Sequence, residues 1–166
     1  MAEQDSQARI YRPRGSLGWL WLALLAVLLL TSGWFGGGST RVVGTVIGVA
    51  VAVLALCFPA MRYTVDGESV RLTYGPLLGY RIGRSDIVAI SRADLTPTLW
   101  AAVRLPGIAL YTVRYSGVGA IRMCSTRVAQ GVLVIETRDG RRYGVSPERE
   151  GEFVAEVTGG SADRAE

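Results

Sequence analysis

The chain has 166 residues and a formal net charge of +4, and all 18 basic residues are arginine, with lysine and histidine absent. Without histidine there is no imidazole for a general base, a proton relay or a metal ligand, and the spacing of Cys57 and Cys124 suggests no metal site. Residues 62–157 hold 13 Arg against 10 Asp plus Glu, an excess too small and too interspersed for a nucleic-acid footprint but suited to life beside an anionic leaflet.

Residues 1–16 carry Arg9, Arg12 and Arg14 and form an N-terminal segment ahead of the first apolar run. That run, residues 17–35, reads LGWLWLALLAVLLLTSGWF, and a second, residues 42–61, reads VVGTVIGVAVAVLALCFPAM. Each is about 30 Å long as a helix, one hydrocarbon thickness. The connector is too short for a domain, so residues 17–61 are expected to form a two-helix transmembrane hairpin. Arg9, Arg12 and Arg14 precede it and Arg62 and Arg71 follow it, whereas the connector holds only Arg41, so both termini are expected on the cytoplasmic side of the membrane. Trp19, Trp21 and Trp34 fit interfacial anchors. A cleaved signal peptide is disfavoured, because the apolar stretch is too long and lacks an Ala-x-Ala site.

Gly44 and Gly48 form a GxxxG in the second span, and Ala52 extends that small face by a turn. Such a stripe admits close helix packing, either from the first span or from a second copy of the chain. No charged or strongly polar residue interrupts either span, which argues against an ion path or proton relay.

From Arg62 the pattern changes to alternation. Tyr63 and Val65, then Val70, Leu72 and Tyr74, flank Asp66-Gly67-Glu68-Ser69 as a β-hairpin. Gly75-Pro76 leads to short strands near 80–82 and 87–91. Residues 94–107, with Pro97 and Pro106, are expected to be a loop or an irregular helical turn. Strands are predicted again at 109–115, 120–125, 132–137 and 142–145, the last two joined by Asp139-Gly140. Ser146 is the expected N-cap of a final helix, with Pro147 in its first position and Glu148 and Glu150 on its positive end. Phe153, Val154 and Val157 share its apolar face, and Gly159-Gly160 is expected to end it, leaving 158–166 as a disordered tail.

The stretch Arg104-Leu-Pro-Gly107, then Tyr115-x-Gly117, then residues 132–157 resembles the bacterial pleckstrin-homology-like (PH-like) domains of small membrane proteins. Their motif T-x-x-G-x-x-Y-x-[IV]-S-P falls on Thr137, Gly140, Tyr143, Val145, Ser146 and Pro147, with Phe153 on the helix that follows. The resemblance implies a mainly-β PH-like domain over residues 62–157, with two bent sheets or an open barrel capped by the C-terminal helix. It implies little about activity, because the fold hosts many binding roles.

No Gly-x-Ser-x-Gly, phosphate loop or carboxylate cluster with metal spacing is present, so an enzyme is not expected, nor a cofactor or metal. The acidic Asp66–Ser69 loop would repel the phosphates that some PH domains hold in their first hairpin. Arg104, Arg114, Arg122 and Arg127 remain as a candidate surface for an anionic lipid or small ligand. The leading expectation is a noncatalytic, membrane-anchored module that binds a protein partner or itself, using a sheet edge or a groove beside the last helix. The alternative is a lipid or ligand sensor built on those arginines.

Overall fold

The computed structural model describes residues 8–105 and 108–162. Helices α1 (Gly18–Phe35) and α2 (Gly38–Cys57) stand side by side, turned by Gly36-Gly37. Both are long and apolar enough to cross a membrane. Only 22% of α1 and 11% of the α2 stretch is buried within the protein, so their apolar sides are not spent on a soluble core. A one-turn 3-10 helix (Phe58–Ala60) leads from α2 directly into the first domain strand.

Among the described residues, ten strands form two sheets. The smaller has the order β1 (Arg9–Tyr11), β2 (Met61–Val65), β3 (Ser69–Tyr74), β4 (Leu78–Gly83), with antiparallel pairing throughout. The larger has the order β5 (Ile87–Ala93), β9 (Val132–Thr137), β10 (Arg142–Val145), β8 (Gly119–Ser125), β7 (Ile108–Tyr115), β6 (Pro97–Leu105). Among the described residues its one parallel pair is β10 with β8. Helix α3 (Glu150–Ala162) closes the space between the sheets.

The period-two alternation of β2 and β3 does what it predicts. Val65 faces Val70 across the four-residue turn, and Met61, Tyr63, Val65, Val70, Leu72 and Tyr74 are all buried. Asp66 makes that turn by accepting hydrogen bonds from the Glu68 and Ser69 amides and the Ser69 hydroxyl. Those bonds outweigh partial desolvation and hold its carboxyl below the usual carboxylate range. Phe153 seals the intersheet core, its ring 5.4 Å from that of Tyr11 and 6.2 Å from that of Tyr63. A second apolar cluster, including Val113, Ile121, Met123 and Val134, lies on the other face of the larger sheet.

The hairpin is seated on the domain. Leu22, Val51, Leu54 and Phe58 pack with the intersheet core, and the Tyr74 hydroxyl donates to the Leu54 carbonyl. Buried Arg84 fastens α3 from below, donating to the Asp66 carbonyl at 3.1 Å, to the Val157 carbonyl at 3.2 Å and to the Glu156 carbonyl.

Three expectations are corrected, and one strand was not foreseen. Residues 97–105 are strand β6, paired with β7, not a loop or helical turn. Pro97 stands at the first position of an edge strand, where no ladder donor is required. The pairing bulges where Tyr111 adopts φ 63°, a left-handed conformation unusual for a bulky residue. Within the N-terminal segment, residues 9–11 extend the smaller sheet. Ser146 and Pro147 are not helical: Pro147 bridges Pro13, and α3 starts at Glu150. Gly159-Gly160 do not stop α3, which continues to Ala162, so residues 158–162 are helical; residues 163–166 lie outside those described.

Candidate interaction surface

The T-x-x-G-x-x-Y-x-V-S-P stretch builds a junction. Thr137 Oγ1 lies 2.6 Å from Asp139 Oδ1 and 2.9 Å from the Arg141 carbonyl, closing the turn whose Gly140 has φ 76°. The Thr137 hydrogen bond, with help from the Arg141 amide and guanidinium, lowers the Asp139 pKa. Tyr143 packs edge-on to Tyr80 at 5.6 Å, and Val145 is fully buried. Ser146 is buried as well. Its hydroxyl accepts from the Thr126 amide at 2.9 Å and meets the Thr126 hydroxyl at the same distance. Its amide donates to the Tyr63 hydroxyl, which in turn donates to the Cys124 carbonyl at 2.8 Å. Ser146 is thus a staple between strands, with no free hydroxyl for nucleophilic chemistry.

The four candidate arginines do not converge. Arg122 projects between the sheets, its guanidinium 5.7 Å from the Tyr143 ring and 6.0 Å from the Tyr80 ring, and it donates to the Tyr143 hydroxyl at 3.2 Å. Arg114 is exposed on β7, on the same face, opposite Ala120 near the start of β8. Arg127 lies beyond the other end of β8 and donates to the Gln130 and Gly131 carbonyls. Arg104 stands in β6 opposite Ala109, and its side chain lies outside the described residues. Arg122 and Arg127 are already spoken for by rings and carbonyls, which leaves Arg114 of this set facing solvent.

Gly44 and Gly48 face α1. A Cβ on Gly44 would come within 3.1 Å of the Gly33 Cα and 3.2 Å of the Leu29 carbonyl, and one on Gly48 within 2.9 Å of Leu30 Cγ. Ala52, a turn further on, is half-buried. The two cysteines are both free thiols. Burial pushes Cys124 up to about 12, which leaves it a packed, inert core group. Among the described residues no cluster of three or more His, Cys, Asp or Glu could hold a metal ion.

What the domain does offer is sheet edge. Strand β5 pairs with β9 on one side and, among the described residues, ends the larger sheet on the other. Val88, which the ladder bypasses as a bulge, is 64% exposed, and from 89 to 93 the register runs unbroken. Arg92 near the end of β5 reaches Glu150, at the start of α3, at 3.4 Å. The sequence marked 87–91 as a strand, but nothing local tells which strand will be an edge; that is a property of the sheet order.

Two sheets closed by a C-terminal helix, an outward-facing apolar hairpin and an open edge strand define a small binding module of the PH type, a class that is generally noncatalytic. The sequence pattern of the bacterial PH domain matches residues 61–160, and the chain belongs to that family. No curated protein matches the chain, and no solved structure does.

Proposed function

We propose that this protein is a noncatalytic module anchored by α1 and α2 in the bacterial inner membrane, with both termini cytoplasmic, and that it binds a protein partner or another copy of itself by strand addition to β5. The unpaired edge of β5 beside α3 carries this reading. An edge strand exposes a row of backbone donors and acceptors, and most such edges are guarded by charge. Here the exposed positions are Val88, Ala89, Ser91 and Arg92, with a single charge among them. Backbone pairing supplies affinity for an added strand, and the half-buried Ile90 and exposed Val88 supply an apolar contact. The dispersed arginines give a lipid headgroup no comparable convergence.

The test is in-cell crosslinking and recovery of the full-length protein in detergent. Wild type should bring down a stoichiometric protein that survives moderate salt, or a crosslinked dimer. The V88K/S91K variant, with two lysines on the exposed edge, should lose it while keeping its fold. Recovery unchanged by V88K/S91K would overturn the β5 assignment, and no adduct at all would overturn the binding role.

A further inference from the structure

The second side of α3 carries a different surface, and the chain itself occupies it. Residues 9–14 lie in the cleft between β2 and α3. Strand β1 pairs antiparallel with β2, matching Arg9 with Val65 and Tyr11 with Tyr63. Beyond it the Arg14 amide donates to the Ser146 carbonyl at 2.8 Å and the Glu148 amide donates to the Arg12 carbonyl at 3.0 Å. The Thr126 hydroxyl donates to the Arg14 carbonyl at 2.8 Å. Every one of these contacts uses the backbone of the segment. Of its strand side chains, Tyr11 alone is buried, edge-on to Phe153, while Ile10 is 62% exposed.

We infer that this cleft is a peptide seat which the chain fills in cis, and that the partner able to replace the segment is an extended basic peptide with one aromatic anchor. Backbone pairing plus a single side-chain pocket is how a sheet edge takes a peptide in trans. The charge on both sides fixes the chemistry. The segment brings Arg9, Arg12 and Arg14, with Arg9 and Glu156 3.0 Å apart; the helix side brings Glu148, Glu152 and Glu156 against one cation, Arg149, which is itself paired with Glu152 at 3.3 Å. A cavity of about 530 Å³ lined by Arg9, Tyr11, Arg12, Glu148, Arg149 and Glu152, among others, runs along the contact. A three-residue strand held this way can open while the sheets stay folded. This seat and the β5 edge use different strands, so loss of binding at one leaves the other intact.

The test uses the full-length protein in nanodiscs and a fluorescent peptide with the sequence of residues 8–15, ARIYRPRG. Y11A empties the pocket while the membrane hairpin and sheets remain. The peptide should bind Y11A, and bind wild type about tenfold more weakly or worse, because a tethered competitor acts at roughly millimolar effective concentration. A peptide with alanine in place of its tyrosine should not bind. No binding to folded Y11A, or equal binding to both proteins, would overturn the inference. If Y11A does not fold, hydrogen exchange on wild type decides: Arg14 and Glu148 amides exchanging faster than those of β3 support an opening seat, and equal protection overturns it. A wild-type dimer that dissociates on Y11A substitution would assign the seat to the segment of a second copy and overturn the partner-peptide assignment.

Discussion

Tyr63 sits where the smaller sheet, β8 and the Ser146 junction meet, and its hydroxyl has a partner on each side. Tyr63→Phe keeps the ring against Phe153 but leaves the Cys124 carbonyl and Ser146 amide unpaired in the core. The expected loss is about 1–3 kcal/mol of stability, seen as a lower urea midpoint of the full-length protein in detergent with the denaturant slope unchanged. A second consequence concerns pH. Burial raises Cys124 to about 12 and lifts the Tyr63 and Tyr74 phenols well above their ordinary range. The unfolded chain releases these protons first, from about pH 9 upward for the thiol and about pH 10 for the phenols. The folded state then binds more protons than the unfolded one, so stability falls as pH rises through that window. Urea midpoints should be level between about pH 7 and 8 and decline by about pH 10; a level profile would contradict this account of the core. At this scale the sequence was legible where chemistry is local: Gly140 had to turn, and Phe153 and Val157 had to share the buried face of the last helix. Ser146 was not, because a serine before proline looks the same whether its hydroxyl caps a helix or staples a loop. Arg84 gave no sign either, since its side-chain partners on the Asp66 turn and α3 are 18 or more residues away.

At the scale of elements, the helical hairpin is fixed by three glycines in contact. Gly33 on α1 meets Thr45 and Gly44 on α2, and Gly48 meets Leu30. Their backbones approach as only small residues allow. Gly44→Ile would push its side chain into the Gly33 backbone and the Leu29 carbonyl, and overpacking of this kind costs about 1–3 kcal/mol. The thermal midpoint of the detergent-solubilised protein should fall with its oligomeric state unchanged. A change in oligomeric state at constant thermal stability would place the glycine stripe between chains. The strands legible in the sequence were those with clean alternation, β2 and β3 above all. Strand β6 was hidden because its Leu-Trp-Ala-Ala-Val run has no period of two and prolines at 97 and 106 imitate a loop; only pairing with β7 makes it a strand. Strand β1 is three residues long, below the reach of any periodicity, and it exists because β2 and Phe153 offer it a place. The end of α3 was misjudged for the opposite reason: two glycines are a weak stop when the helix is held by Arg84 and the Phe153 contact on its inner face.

In the whole molecule, a hairpin whose sides face outward is joined to a domain seated directly on its ends. Residues 54–61 pass from α2 through a single 3-10 turn into β2, so no flexible linker separates anchor from domain. A partner strand on β5, or a basic peptide in the α3 cleft, would therefore be held at a fixed height beside the membrane. That arrangement is useful only if the hairpin crosses the bilayer and leaves the domain in the cytoplasm, as we propose from the arginines at 9, 12, 14, 62 and 71. The direct measurement is a pair of reporter fusions active only in the periplasm, one at the C-terminal end of the chain and one inserted between Gly36 and Gly37. Activity from the connector fusion alone is the result expected. Activity from the C-terminal fusion would put the domain on the other side of the membrane and contradict the account.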